Sequence, residues 1–385
     1  MIDTVLLKIP LGKFSVTRYD KFQPNARGLF SAPFLPFYGE PYIKCVQNPS
    51  KEDLLAGEYS PRLTIFKRVA KGSGFGINLH IELSLPKLLY GNNFDELEDK
   101  DFEEVIRVLK TKLFVMGVLV SKEDLRVASV YAVHYSKNII FDDGTTATLP
   151  LSYLDKIKLN RHMDLNKTDF RNGGEAVRYF SKTHEFVAYD KIADLKKSED
   201  RAMEKGDREC NLQMDIFDAI REEKPFEVLR LEFRLKNRKK MQSLFQSLGV
   251  KSDLSFTSLF SKTISQKLLL HYWNCIYDEL RPVLLQEITP PEQFTLIAKQ
   301  RKQWTGHHVL LLIAVCAMLR AEGHRKTRNR LKPRCSVRTL ERVFKDIKGL
   351  EFKILNKAAP FEHITRSLQA FVSLKAKDFT FTDGL

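Results

Sequence analysis

Strict alternation of apolar and polar residues in two short segments constrains the fold more than any other feature of this sequence. In Asn78–Leu85 and Val228–Leu235 every second residue is leucine, isoleucine or phenylalanine, and the residues between them are, apart from Val228, polar or charged. Successive side chains of a β-strand point to opposite faces, so the pattern predicts strands with one face on a core. Antiparallel sheets commonly expose the other face, and we therefore expect a sheet with one apolar and one polar face.

The rest of the chain divides into a strand-rich part and a helical part. Four further segments have the two-residue period: Val5–Ile9, Leu63–Phe66, Val130–Phe141 and Phe186–Tyr189. Helical patterns occur at Asp99–Met116, Asp190–Cys210, Phe256–Leu280, Pro291–Thr305, Val309–Glu322 and Ser336–Ile347. We predict an α+β fold in which residues 1–245 form an antiparallel-sheet domain and residues 246–385 form a mainly helical domain.

The charge balance indicates the kind of partner. The 385 residues include 63 lysines and arginines against 48 acidic residues, which gives a formal charge of +15. Such a surplus is typical of proteins that bind polyanions, with nucleic acid as the first candidate and a membrane surface as the second. Charge gives only this class of partner, so the chemistry has to be inferred from motifs.

Cysteine usage and hydropathy predict a cytoplasmic protein. Five scattered cysteines without a C-x-x-C pair predict neither a disulfide framework nor a zinc ribbon. The longest apolar run, Val309–Leu319, is shorter than a bilayer span, and the first residues, MIDTVLLKIP, are expected to form a strand rather than a leader. We therefore expect no membrane partner.

The polar faces of the two alternating strands carry residues that could act in chemistry. His80 and Glu82 share one face and could bind a divalent cation, although a solvated face is the simpler explanation. Arg230, Glu232 and Arg234 place a carboxylate between two guanidinium groups. Cross-strand salt bridges explain this row, and so does a metal ligand flanked by arginines that bind phosphate.

His134 and Tyr189 are further candidates. His134 shares a strand side with Ala132 and Ser136, where a histidine is more often a structural hydrogen-bonding residue than a ligand. Tyr189 and Lys191 share a face if the strand continues through the tyrosine. A tyrosine near a lysine could attack a phosphodiester, because the ammonium group offsets the charge of the phosphorane. On spacing alone, such a tyrosine is more often a packing residue.

Taken in order, these segments resemble a known family. The pieces, which extend over nearly the whole chain, are MIDTVLLKIP, HIELSLPKLLYGNNF, SVYAVHYSKN, HEFVAYDK, VLRLEFRLK, KLLLHYWNCIYDEL and AEGHRKTRNRLKPRCSVRTLERVF. They resemble the gene II type replication initiators of filamentous phages and related rolling-circle plasmids. The resemblance implies an HUH-like nuclease domain and a site-specific endonuclease and ligase that nicks one strand at an origin.

The resemblance also implies the catalytic residues and the reaction. Tyr189 falls on the position of the nucleophile and Lys191 on the basic residue two places beyond it. The implied reaction is a transesterification that leaves a 5′-phosphotyrosyl link and a free 3′-OH to prime a polymerase. Some related initiators use two tyrosines, but we assign no such role to Tyr179, because ten residues from Tyr189 match neither a helical turn nor a strand face.

A divalent cation, Mg²⁺ or Mn²⁺, is the cofactor that the resemblance implies. The implied ligands are Glu82, His134 and Glu232, ranked ahead of His80. His134 stands where much of the family is expected to have aspartate, and a neutral ring in place of a carboxylate favours the softer Mn²⁺. The sequence also lacks a His-hydrophobic-His triplet, which leaves the exact ligand set open.

A basic segment near the end of the chain predicts contact with DNA. Residues 324–345 contain nine lysines and arginines and one acid, Glu341, and Ser336 could cap the helix that follows. Such a loop and helix could enter a groove or follow phosphates, although a solvated basic face remains the alternative. The predicted DNA contacts are Arg230, Arg234, Arg325, Arg328, Arg330 and Arg338.

The expected partners are therefore origin DNA, as supercoiled duplex and single strand, with a helicase and a polymerase of a bacterial host. Two other functions remain open. A conjugative relaxase or transposase would share the tyrosine chemistry, but no Walker sequence indicates a fused helicase. A non-catalytic DNA-binding regulator would keep the basic segment and would not need the tyrosine, the lysine and three metal-competent side chains in order.

Overall fold

A large antiparallel sheet is the main feature of the protein. The computed structural model describes residues 1–31, 42–49, 58–69, 75–157, 167–171, 175–195, 226–280, 283–284, 289–350 and 359–378, and these form a mixed α/β fold. The strands in the described residues are β1 (Ile2–Pro10), β2 (Phe14–Val16), β3 (Tyr42–Gln47), β4 (Arg62–Val69), β5 (Phe75–Ser84), β6 (Val118–Val120), β7 (Ser129–Phe141), β8 (Lys167–Arg171), β9 (Ala176–Phe180), β10 (His184–Asp190) and β11 (Glu227–Leu235).

Helices follow and separate these strands. In the described part of the chain they are α1 (Arg27–Ser31), α2 (Leu85–Tyr90), α3 (Phe102–Val115), α4 (Lys122–Arg126), α5 (Thr148–Leu154), α6 (Arg238–Ser247), α7 (Phe256–Leu259), α8 (Lys262–Leu280), α9 (Pro290–Gln300), α10 (Gly306–Leu331), α11 (Val337–Lys348) and α12 (Ala359–Ala370). Every described strand precedes α6, so the change from strands to helices after Lys240 is as the sequence indicates.

The strand order brings distant parts of the chain side by side. Nine strands form one sheet in the order β3-β4-β5-β1-β7-β11-β10-β9-β8, and each neighbouring pair is antiparallel. β2 and β6 form a separate two-stranded sheet. The first strand, β1, therefore lies next to β7, and β11 and then β10 lie on the other side of β7. This arrangement places residues from the start, middle and later part of the chain on one surface.

Alternation along the strands produces an apolar face that the helices cover. Phe233 of β11 is fully buried, and its ring stacks on Tyr272 of α8 with centroids 3.8 Å apart. Trp273 of α8 stacks on Phe361 of α12, and Tyr135 of β7 donates its hydroxyl to the backbone oxygen of Leu259 at 3.2 Å. Each such aromatic side chain contributes about 1.5–3 kcal/mol through burial, so α8 and α12 stabilise the sheet strongly.

A glycine bends the longest helix. Gly323 in α10 has φ 78° and ψ 171°, a conformation that residues with a Cβ rarely adopt. A Cβ at this position would lie 2.8 Å from the Cα of Lys156, and the backbone N–H of His324 donates to the oxygen of Lys156 at 2.8 Å. The glycine therefore allows the close approach of α10 to the chain that follows α5.

Buried side chains form two main hydrophobic clusters. The larger one runs through the sheet and also includes residues of α8 and α12, from Met1 to Phe371. The second joins α9, α10 and α11 in residues 297–350. The domain boundary between residues 245 and 246 stays a prediction, because burial identifies clusters and does not identify units that fold alone.

Among the described residues, α10 is the helix that is long and apolar enough to cross a membrane. Within its most apolar 18-residue window 39% is buried inside the protein, and Val309, Leu312 and Cys316 belong to the second cluster. The core helix of a soluble protein passes the same test, so one such helix is weak support for a membrane span. The expected absence of a membrane partner stays a prediction.

All six strands predicted from the two-residue period are present, as β1, β4, β5, β7, β10 and β11, with bounds shifted by a few residues. The prediction of a single helix at Phe256–Leu280 is wrong, because residues 260–261 are not helical and separate α7 from α8. The helix predicted at Val309–Glu322 continues to Leu331 beyond the bend. Of the helix predicted at Asp190–Cys210, residues 191–195 are helical and residues 196–210 lie outside the described residues.

Candidate functional site

The polar face of the sheet brings together several residues that the sequence singles out. His134 of β7 lies opposite Arg234 of β11, and Glu232 lies two residues before Arg234. On the other side of β11, Tyr189 of β10 lies opposite Arg230. Directly paired residues and residues two apart point to the same face of a sheet. These five side chains therefore share one surface, which we call the polar face.

Three potential metal ligands form a cluster on the polar face. One ligand atom from each of Asp3, His134 and Glu232 lies within 4.8 Å of the other two. His134 keeps 22% of its side chain exposed, whereas Glu232 keeps 4%. The cluster is therefore partly open to solvent at the imidazole. Asp3 takes the third place, for which the sequence had predicted Glu82.

A β-bulge explains why sequence analysis missed Asp3. In strict alternation the first strand would turn this side chain to the apolar face. Ile2 pairs with Tyr135, however, and Thr4 pairs with His134, so two steps along β1 match one step along β7. The extra residue of a bulge is re-aimed relative to its neighbours. Asp3 is that residue, and only a partner strand in a known register reveals it.

Glu232 is buried in its charged form. Arg234 donates from Nε to Oε1 at 3.1 Å and from Nη2 to Oε2 at 2.9 Å, and the Nδ1 of His134 lies 3.3 Å from Oε1. Burial opposes ionisation, but the hydrogen bond from His134 and the charge of Arg234 outweigh it and hold the pKa of Glu232 well below its usual range. The carboxylate is therefore anionic at neutral pH.

Arg230 lies beneath the cluster and is buried. Its Nη2 is 2.9 Å from Oδ1 of Asp3 and donates to Oγ of Ser136 at 2.8 Å, while Nη1 donates to the backbone oxygen of Asn93 at 2.7 Å. These contacts fix Asp3 and offset part of the charge of the two carboxylates. The predicted contact of Arg230 with DNA stays a prediction, and its observed contacts are with the protein.

Tyr189 is half-buried beside this network. Burial raises the pKa of Tyr189 well above its ordinary value, the charge of Arg230 lowers it, and the charge of Glu232 raises it again. The phenol is therefore protonated at neutral pH. A nucleophilic role requires further positive charge near the hydroxyl.

Lys191 lies where β10 turns into a helical turn. Oδ1 of Asp190 accepts a hydrogen bond from the backbone N–H of Ala193 at 3.0 Å, which ends the strand and begins the helical residues 191–195. Lys191 is fully buried, and its Nζ lies 5.8 Å from the centroid of the Tyr189 ring. The predicted pair is thus brought together, although Lys191 has left the strand.

The environment of Lys191 disfavours its charge. The Nζ donates to Oδ1 of Asn93 at 2.9 Å and to Oδ2 of Asp194 at 3.2 Å. Burial, and then the charge of Arg230, lower the pKa of Lys191 to about 8. The ammonium group therefore titrates close to physiological pH.

The loop of residues 91–98 closes this end of the polar face. Asn93 contacts both Arg230 and Lys191, through its backbone oxygen and its side-chain oxygen. Glu96 of the same loop accepts from the backbone N–H of Asn138 at 2.6 Å and pairs with the buried Lys137 at 2.7 Å. The loop is thereby fixed to β7, and it holds the two cations in place.

Glu185 is another residue of the polar face that sequence analysis missed. This buried carboxylate of β10 pairs with Arg178 and Lys236, and Nη1 of Arg234 lies 3.5 Å from its Oε2. Burial raises its pKa, but the hydrogen bonds from Arg178 and Lys236 outweigh burial and lower it. The position was recognisable, because Glu185 has the same strand parity as Tyr189.

Glu82 and His80 lie away from the cluster. Glu82 is exposed on β5, with Nη1 of Arg62 at 3.9 Å, and β1 separates it from His134. His80 packs between the rings of Phe66 and Tyr131, with centroids at 4.7 and 5.6 Å. The structure therefore places both side chains on the polar face without joining them to Asp3, His134 and Glu232. Their roles as ligands stay predictions.

The basic segment, residues 324–345, belongs to α10 and α11, whose buried side chains form the second hydrophobic cluster. Arg325 and Arg338 are exposed, Arg328 is half-buried, and Arg330 binds Glu322 through Nε and Nη2 at 3.1 and 2.9 Å. Oγ of Ser336 accepts from the backbone N–H of Thr339 at 3.1 Å, which confirms the predicted cap of α11. These arginines are accessible to a polyanion, and the DNA contact itself stays a prediction.

Tyr179 faces away from the site. It pairs with Phe186 on the apolar face, it is buried, and its hydroxyl donates to the backbone oxygen of Leu154. Tyr189 lies on the opposite face of the sheet. Tyr179 therefore cannot reach the same phosphate without unfolding of β9.

The cluster has donors that suit a divalent cation. Two carboxylates and an imidazole are ligands that Mn²⁺ accepts. Oδ1 of Asp3 is buried and makes no hydrogen bond, although Nη2 of Arg230 lies 2.9 Å from it as an ion pair. Buried polar atoms without a hydrogen bond are rare in proteins. The residues therefore fit a metal ion, and Arg234 at their edge could face a phosphate.

Comparison of the chain with protein-family models, with curated proteins and with solved structures finds no match. The functional assignment therefore depends on the residues and the geometry of the polar face.

Proposed function

We propose that this protein is a rolling-circle replication initiator that nicks and rejoins origin DNA through Tyr189, with an HUH-like nuclease fold. The observation that supports this function best is the cluster of Asp3, His134 and Glu232 on the same sheet face as a tyrosine and two arginines. A tyrosine next to metal-competent ligands and guanidinium groups suits phosphodiester chemistry. The resemblance to gene II type initiators agrees with this chemistry.

The proposed reaction is a transesterification. The phenolic oxygen of Tyr189 attacks the phosphorus, the bond from phosphorus to the 3′ oxygen breaks, and the 5′-phosphate remains on the tyrosine. The leaving oxygen takes a proton and becomes the 3′-OH, and the phenolic proton passes to water. Because a phosphodiester is exchanged for a phosphodiester, the reverse reaction rejoins the strand without a nucleotide cofactor.

The protein's own residues would bind and orient the phosphate. A divalent cation bound to the cluster would polarise the phosphate and offset the charge that develops on it. Arg234 is already aligned by Glu232 and can donate to a phosphate oxygen. Lys191, near the Tyr189 ring, supplies positive charge that helps the phenol to lose its proton.

The direct test uses the full chain with DNA of the replicon that encodes it. Supercoiled and single-stranded forms are incubated with Mn²⁺, Mg²⁺ or EDTA, and the products are separated on denaturing gels. We expect a nicked circle with protein attached to the 5′ end, in either metal and not in EDTA. Nicking in EDTA, or nicking without attached protein, would contradict the proposed chemistry.

The ion pairs of the site favour one other function, that of a non-catalytic DNA-binding regulator. The bidentate contact of Arg234 with Glu232 and the contact of Arg230 with Asp3 can stabilise the sheet without a metal. Titration of the full chain with Mn²⁺, followed by electron paramagnetic resonance, separates the two functions. An initiator binds one Mn²⁺ ion with Asp3-dependent affinity, and the regulator binds none at this site.

A further inference from the structure

A row of aromatic side chains crosses the polar face on the side away from Glu185. Tyr42 of β3, Phe66 of β4, His80 of β5 and Tyr131 of β7 contact one another in this order. The successive ring centroids are 5.7, 4.7 and 5.6 Å apart. We call these four residues the aromatic row. No sequence pattern indicates it, because its members come from four strands.

The aromatic row lies on a partly exposed surface instead of in the core. Tyr131 is 38% exposed, and the other three side chains are half-buried. The helices α8 and α12 pack on the opposite face of the sheet. A second β-bulge explains the position of Tyr131, because Leu6 pairs with Ala132 and Leu7 pairs with Val130, so that Tyr131 is the extra residue.

Cations surround the aromatic row. The guanidinium group of Arg68 lies 5.2 Å from the ring centroid of Tyr42 and 5.0 Å from that of Phe66. Lys8 is paired in register with His80, and Lys44 with Phe66. Burial and the charges of Lys8 and Arg68 lower the pKa of His80 to about 4, so this imidazole is a neutral ring at physiological pH.

We propose that the aromatic row is a stacking surface for the bases of single-stranded DNA, with Arg68, Lys8 and Lys44 contacting its phosphates. The inference rests on the proposed function, and it identifies the binding surface that would hold the strand for cleavage. Aromatic rings flanked by cations on a partly exposed sheet face match single strands, because unpaired bases present their faces to side chains. In duplex DNA the base faces are hidden by stacking, so a duplex fits the row poorly.

The aromatic row leads to the candidate metal cluster. Tyr131 and His134 belong to the same strand, and three residues of a β-strand span roughly 10 Å. This is within the length of two nucleotides of an extended single strand. Single-stranded DNA with a base stacked on Tyr131 can therefore place a nearby phosphate at His134 and Tyr189.

The test measures the binding of a fluorescein-labelled dT20 oligonucleotide by anisotropy in EDTA, where no metal-dependent cleavage can occur. Phe66→Ala and Tyr131→Ala should each weaken binding by between about 5-fold and 150-fold, which is the usual effect of losing one stacked base. Arg68→Gln should reduce the salt dependence of the affinity by about 0.7 in log–log slope, because one phosphate contact is lost. The duplex of dT20 with its complementary strand should bind to Phe66→Ala and to the wild type with equal affinity.

Phe114→Ala is the matched control. Phe114 is 68% exposed on α3, away from the aromatic row, so its loss removes an exposed ring of the same kind. The control should bind dT20 like the wild type. A second measurement needs no variant: photo-crosslinking of wild-type protein to an oligonucleotide with 5-iodouracil should modify peptides that contain Tyr42, Phe66 or Tyr131.

Unchanged dT20 binding by folded Phe66→Ala and Tyr131→Ala proteins, or crosslinks that map outside β3, β4, β5 and β7, would overturn this inference. Both measurements are made without cleavage. A wild type that binds through the row and never forms a covalent adduct would therefore contradict the proposed function and leave the stacking surface supported.

Discussion

The two ends of the polar face differ in chemistry although they share one sheet. At the first end, ionisable side chains contact one another beside Tyr189. They are Asp3, His134, Glu232 and Arg234. At the second end the aromatic row carries neutral rings with cations around them. The first end suits the making and breaking of a phosphodiester bond, and the second suits reversible binding of bases.

This difference predicts that the two functions separate in experiment. Changes at the charged end should abolish cleavage and leave the binding of single strands nearly intact. Changes at the aromatic row should weaken binding and leave cleavage at saturating DNA close to normal.

Tyr189→Phe should reduce covalent adduct formation by about three orders of magnitude or more, because the change removes the nucleophile. The affinity for dT20 in EDTA should stay as in the wild type, since the aromatic row is intact. Denaturing gels quantify the adduct, and Tyr179→Phe serves as control because its hydroxyl faces the core. Adduct formation by Tyr189→Phe at the wild-type rate would show that Tyr189 is not the nucleophile.

Asp3→Asn should weaken Mn²⁺ binding about 10-fold to 100-fold and lower metal-dependent cleavage in parallel. An amide keeps the size of the side chain and loses its charge. Glu82→Gln is the matched control: it makes the same change at an exposed carboxylate outside the cluster, and it should leave both quantities unchanged. The reverse result, a loss with Glu82→Gln alone, would restore the ligand set that the sequence predicts.

His134→Asp should shift the metal preference from Mn²⁺ toward Mg²⁺ by about ten-fold in relative activity, because a carboxylate is a harder ligand than imidazole. His134→Ala should lose activity in both metals. Titration of cleavage with each metal measures the preference. If the wild type and His134→Ala respond alike to both metals, His134 is a structural partner of Glu232.

The cleavage rate should depend on the protonation of Lys191. Its pKa is lowered from 10.5 to about 8, so the folded protein loses this ammonium group as pH rises above about 8. Lys191→Arg keeps the charge at higher pH. The ratio of the wild-type rate to the Lys191→Arg rate should therefore fall about ten-fold per pH unit above pH 8. A ratio that stays constant up to pH 10 would contradict this role, and the use of a ratio cancels the ionisation of Tyr189.

The basic segment should contribute to duplex affinity only. Arg325→Gln and Arg338→Gln remove exposed charges without reversing them, and each should lower the slope of log affinity against log salt for duplex DNA by about one. Arg107→Gln is the control, because Arg107 is exposed on α3 and pairs with Glu104. Equal slopes for all four proteins would identify a solvated basic surface.

Alternation was sufficient to predict the sheet but not the contacts on its polar face. Leu79, Ile81, Leu231 and Phe233 are buried as their two-residue period indicates, because an apolar face has to be covered whatever its partners. Strand order is a property of the whole fold and cannot be read from one strand. In the observed order β1 lies between β5 and β7, and it therefore separates Glu82 from His134. The ligand set predicted from sequence therefore differs from the cluster in the structure at one member, with Asp3 of β1 in the place of Glu82 of β5.

Local irregularities account for the other residues that sequence analysis missed. Asp3 and Tyr131 are both extra residues of β-bulges, and strict alternation places each on the wrong face. Asn93 belongs to a loop, where no periodicity predicts which side chains it contacts. Tyr189 and Lys191 were candidates from their shared strand face and from the resemblance, and the structure adds Arg230, which lies opposite Tyr189.

Mass spectrometry of a covalent adduct formed by the full chain tests directly whether Tyr189 is the nucleophile. Single-stranded oligonucleotides that tile the replicon are incubated with the protein and Mn²⁺, and the adduct is digested with trypsin and nuclease. We expect one modified peptide, with the 5′-phosphate of the DNA on Tyr189, and no such peptide when EDTA replaces Mn²⁺. A phosphate on any other residue, or no adduct across the tiled set from protein that has bound Mn²⁺, would contradict this expectation.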